Sequence, residues 1–123
     1  METRERCSPK VCACLRDLWR GIILVLSATM DYATFKASLS HDQPPAMLSN
    51  ALKALWWDAK GDWSRAHACA QAQDDAAGAW VHAYLHRKEG DLSNASYWYR
   101  RAGRPVFTGA LSDEWEMLAR ALL

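Results

Sequence analysis

His82 and His86 stand four residues apart, with Glu89 three further on, in the stretch AWVHAYLHRKEG. On a helix this spacing puts both imidazoles on one face and the carboxylate one turn beyond, so a single helix offers a metal ion two nitrogens and an oxygen. The glutamate is not where a His-Glu-x-x-His motif would place it, and the sequence marks no third ligand elsewhere. The competing reading is a pair of ordinary half-exposed histidines. Cys7, Cys12 and Cys14 form a second candidate, since thiolates favour zinc or copper(I), but no histidine lies close to them in the chain. Cys69, the last of the four cysteines, falls in a helical stretch with nothing nearby to activate it. Three cysteines crowded into fourteen residues are not the even spread of a disulfide framework, and reduced thiols in a cytoplasm are the expectation.

Arg87, Lys88, Arg100, Arg101 and Arg104 gather around one short segment. As a solvated face they offset the negative ends of two helix dipoles. As a functional set they form a rim for an acidic peptide, because the planar guanidinium pairs bidentately with carboxylates. Trp98 and Tyr99 are suited to stacking on bases, but a net charge of +1 gives too little counterion release for general nucleic-acid binding. There is no Gly-rich phosphate loop, Gly-x-Ser-x-Gly elbow or carboxylate pair beside a nucleophile. The chain is therefore read as a non-enzyme without a cofactor.

These residues need elements to hold them. A length of 123 residues suits one domain, and an apolar half is enough for a real core. Residues 1–30 read as an extension, weakly helical or disordered; the Gly21 to Ala28 run, flanked by Asp17 and Arg20, is marginal for a secretory signal. Translation starting at Met30 is a further alternative. No apolar run approaches the roughly 18 residues needed to span a bilayer. Residues 31–123 read as one helical domain. A short helix over Asp31 to Leu39 precedes Pro44-Pro45, and helical periodicity starts at Ala46, with Leu48, Leu52, Leu55 and Ala59 on one face. Gly61 ends that helix and Asp62 caps the next, whose stripe is Trp63, Ala66 and Ala70. A break at Gln73-Asp74-Asp75 precedes a helix from Ala76 that puts Tyr84 and Leu85 on one side. Gly90-Asp91 repeats the corner, and Leu92, Ala95, Tyr99 and Ala102 follow before the Gly103–Pro105 stop. Ser112 then reads as the N-cap of a last amphipathic helix carrying Leu111, Trp115, Leu118 and Leu122.

The aromatic residues exceed what one stripe per helix can bury. Neighbours such as Trp56 and Trp57 must point apart, so one of each pair meets a second helix layer (residues 11–28 or a dimer partner) or lines a binding groove.

A shift of 29 positions aligns Ala54 with Ala83, Gly61-Asp62 with Gly90-Asp91, Ser64 with Ser93 and Ala66 with Ala95. Glycine turns the chain, aspartate caps the next helix and alanine permits close approach; such hairpins stack because one alone cannot bury its apolar face. Gly90-Asp91-Leu92, Ala95 and Tyr97-Trp98-Tyr99-Arg100-Arg101-Ala102-Gly103 resemble the tetratricopeptide-like superfamily, including its Sel1-like branch, over two units within residues 48–105. Ala79 to Pro105 is also similar to small uncharacterised bacterial and fungal proteins. The spacing of 29 departs from the usual 34, and Ala68-Cys69-Ala70 replaces the aromatic run in the first unit.

The fold expected is all-α: two stacked antiparallel helical hairpins and a capping C-terminal helix. The resemblance implies protein–protein binding on a concave face rather than catalysis. The partner, another protein or a second copy of this chain, is expected to meet Arg87, Arg100, Arg101 and Arg104, with Tyr84, Trp98 and Tyr99 as apolar anchors. The rivals are a small metal-binding protein or enzyme using His82, His86 and Glu89, and a purely structural protein.

Overall fold

The computed structural model describes residues 30–123. Cys7, Cys12, Cys14 and the expected N-terminal extension lie outside them. The described residues contain six helices and no strand: α1 Tyr32–Ser38, α2 Asn50–Ala59, α3 Trp63–Ala72, α4 Ala76–Glu89, α5 Leu92–Ala102 and α6 Leu111–Leu122. No helix among them is long and apolar enough to cross a membrane.

The two Gly-Asp corners are built alike. Gly61 and Gly90 adopt φ of 87° and 93°, a left-handed conformation that side chains oppose. The turn lets the Asp62 and Asp91 amides reach back to the Trp57 and His86 carbonyls, each at 2.9 Å, satisfying acceptors that a helix end leaves free. The Asp62 carboxylate then accepts from Arg65 N at 3.0 Å and that of Asp91 from Asn94 N at 3.3 Å, capping α3 and α5.

Two helix starts differ from the sequence expectation. α2 begins at Asn50 rather than Ala46, because the Ser49 hydroxyl accepts from Leu52 N and residues 46–48 form a turn and a bend after the two prolines. α6 begins at Leu111 behind Ala110, with no side-chain cap, so Ser112 lies inside the first turn.

α2–α3 and α4–α5 form two antiparallel hairpins, stacked through α3 against α4 and α2 against α4. α3 contributes only alanines to the core, and Ala66 and Ala70 bring its backbone close to its neighbours. α6 packs across α4 and α2, the first helices of both hairpins. Trp115 secures it there: its indole N–H donates to the Leu55 carbonyl at 2.9 Å, and its ring stacks on Phe35 of α1. Trp56 turns inward and donates to the Ser38 hydroxyl of α1, while Trp57 stays half-buried. Within the described residues, α1 and α6 thus supply a second layer for the surplus aromatics.

Candidate functional site

Three of the chain's four histidines converge where the hairpins meet. His82 and His86 lie one turn apart on α4, their rings stacked with centroids 4.8 Å apart. His67 comes from α3, placed by the antiparallel pairing of α3 with α4; its Nε2 lies 2.9 Å from Nε2 of His82. One nitrogen from each ring lies within 4.8 Å of the other two. His82 and His86 are not half-exposed: they are buried, at 3% and 6% exposure, and His67 is partly open to solvent.

The surroundings fix the rings. Trp63 stacks on His67 and donates its own N–H to the Leu85 carbonyl; Trp98 stacks on His82 with centroids 3.9 Å apart. Glu89 Oε2 meets Nδ1 of His86 at 2.6 Å, and the Asn94 amide lies 3.4 Å from its Nε2. Burial, together with the adjacent His67 and His86, holds His82 down to a pKa of about 4, so its ring is neutral at pH 7. Burial beside His86 lowers His67 as well. Glu89 is thus attached to the cluster through a ligand-type side chain, and the third imidazole, which no local spacing marks, comes from the neighbouring helix.

The arginine and aromatic set divides. Tyr84 and Tyr99 are buried, at 2% and 0% exposure, and reach only the floors of surface pockets. The Tyr84 hydroxyl donates to Asp58 at 2.7 Å, and Lys88 reaches the same carboxylate at 2.8 Å. The Tyr99 hydroxyl donates to Glu114, which also receives Nε of Arg87 at 2.8 Å. Both tyrosines are pushed above the usual phenol range by burial and by the carboxylate each one meets. Arg87 is consequently a strut between α4 and α6, its charge paired with Glu114 while its side chain also borders the groove lined by Leu92 and Phe107. Trp98 is half-buried against His82, and Arg101 sits over Tyr97 and Trp98 beside a 210 Å³ cleft that Gln71, Asp74 and His82 also line. Arg100 is exposed, and Arg104 lies 4.0 Å from the Trp80 ring centre.

No family model, curated protein or solved structure matches this chain. Its chemistry has to be read from the residues themselves. Asp58 and Glu114 are saturated by hydroxyl and cationic donors, which makes them structural. Burial raises the Cys69 thiol, so it is not an activated nucleophile. What remains is a cluster of imidazoles and an exposed surface on the far side of the second hairpin. That surface carries Leu92, Val106 and Met117, at 62%, 52% and 37% exposure. Two grooves of 390 and 370 Å³ adjoin there and share Val106 and Phe107; Leu92, Ala95 and Ser96 line the first, and Trp80, Arg104 and Met117 the second.

Proposed function

We propose that the chain is a protein-interaction module whose partner docks on this double groove. The resemblance to tetratricopeptide-like repeats supports a binding role, but α6 packs against the first helices of both hairpins and covers that side. The receiving surface is instead the one left open around the loop between α5 and α6.

The observation that carries the reading is the continuous apolar exposure of Leu92, Val106 and Met117 over adjoining grooves, the surface type that marks interaction sites. Its rim sets the partner's chemistry. Arg104 lines one groove, and Arg100 follows Ser96 by one helical turn at the edge of the other. Neither has a carboxylate partner among the described residues. An apolar segment flanked by acidic side chains fits both features. Arg100 and Arg104 therefore keep the anion-binding role expected from the sequence, and Leu92, Val106 and Met117 replace the buried tyrosines as anchors.

The test compares proteins retained by the full chain with those retained by Leu92→Asp/Val106→Asp and Arg100→Glu/Arg104→Glu variants, all checked for native helicity. A species held by the full chain and lost by both variants supports the face. Retention unchanged in both variants overturns it. Sedimentation of the purified chain reports whether the occupant is a second copy.

A further inference from the structure

We propose that His67, His82 and His86 form a binding site for a divalent first-row transition metal of the zinc type, clasping the two hairpins together. The donors are three imidazoles with no carboxylate among them. Imidazole suits zinc, copper and nickel, whereas calcium and magnesium require oxygen donors. Zinc holds histidine nitrogens at about 2.0–2.1 Å, and tetrahedral angles then put ligand nitrogens about 3.3 Å apart. The observed set brackets this separation: His67 and His82 are 2.9 Å apart, and all three ligand atoms lie within 4.8 Å of one another. Small side-chain rotations gather them around an ion.

Placement favours this reading over a merely packed core. The ligands come from α3 and α4, so the ion ties the first hairpin to the second. Trp63 and Trp98 stack on His67 and His82, limiting ring rotation. Metal-bound histidines characteristically give their second ring nitrogen to a carboxylate, and Glu89 occupies that role at Nδ1 of His86. Glu89 is thus a positioning residue rather than the ligand its sequence spacing implies. Three protein ligands leave a fourth coordination place, and the partly exposed His67 lies on the solvent side of the cluster.

The experiment titrates the metal-stripped full chain, with Cys7, Cys12, Cys14 and Cys69 changed to Ser, with zinc chloride by calorimetry. Parallel samples take cobalt(II), whose absorption reports coordination. The expected result is one zinc per chain, a four-coordinate cobalt spectrum and a raised melting temperature. His67→Gln, at a partly exposed position, abolishes stoichiometric binding; exposed His41→Gln leaves it intact. Glu89→Gln weakens it about 10–100-fold. Absence of zinc binding, or zinc held equally well by His67→Gln, overturns the proposal. Comparing the full chain and His67→Gln with all cysteines present keeps the test decisive if the serine substitutions disturb folding.

Discussion

Arg87→Ala is the perturbation whose outcome the structure sets most sharply. Glu114 has no exposed surface, and it receives Nε of Arg87 and the Tyr99 hydroxyl. The Arg87 side chain is itself only 15% exposed, so solvent screens the pair weakly. Removing the cation strands a charged carboxylate in the core, a change that costs about 3–5 kcal/mol. The same substitution deletes the Nη2 hydrogen bond to the Gly109 carbonyl, worth about 1 kcal/mol more. Against a typical domain stability of about 5–15 kcal/mol, that is a large share. At about 4–8 °C per kcal/mol for a small domain, the melting temperature should fall by at least about 12 °C. Thermal melting followed by circular dichroism measures the fall, and urea titration measures the free-energy loss itself. Arg87→Met with Glu114→Gln should recover much of the loss, because no buried charge is then left unpaired. A cost for Arg87→Ala below about 1 kcal/mol, the worth of an exposed ion pair, would refute the argument that α6 is held by a buried charge.

Two glycines should fail on alanine substitution for different reasons. At Gly90, with φ of 93° and open space around it, the cost is the left-handed backbone, about 1–2 kcal/mol, and Gly90→Asn should be milder than Gly90→Ala. At Gly78 a Cβ would sit 1.9 Å from the Gln73 carbonyl oxygen, so Gly78→Ala must displace the α3–α4 corner, costing about 1–3 kcal/mol, and Asn brings no relief. Trp115→Phe keeps the stacking on Phe35 but loses the bond to Leu55, and should cost about 1 kcal/mol, against about 3–5 kcal/mol for Trp115→Ala. Denaturant midpoints of the variants check each ordering.

The corners were legible because they are local. A glycine, an aspartate and the stripe behind them suffice for Gly61-Asp62 and Gly90-Asp91, and both form as expected. The starts of α2 and α6 were less so: a serine hydroxyl caps wherever the backbone offers an amide, and Ser49 met that condition where Ser112 did not. Tyr84 and Tyr99 belonged to apolar stripes in the sequence, and their burial follows from that periodicity; assigning them to a surface required their hydroxyls to lack inner partners. Asp58 and Glu114, distant in sequence, are those partners. His67 was missed because its neighbours are set by tertiary pairing. A signal existed nonetheless: it stands six residues before Gln73 and His82 seven after Asp75. Folding the chain back at the break between them lays one histidine against the other.

The last turn of α4 gives the molecule a particular way of coming apart. Lys88 is tied to Asp58 of α2, and its neighbour Arg87 to Glu114 of α6. In an ordinary array of hairpins each unit meets only the next, and unfolding can proceed from an end, one unit at a time. Here peeling off α6 leaves Arg87 and Glu114 without each other, and separating the hairpins does the same to Lys88 and Asp58. Either half-open intermediate has given up an ion pair and the apolar contacts packed around it, without the chain entropy that full unfolding returns. Such species are disfavoured against both the intact fold and the fully unfolded one, so the described residues, though assembled from repeated pieces, should melt as a single cooperative unit.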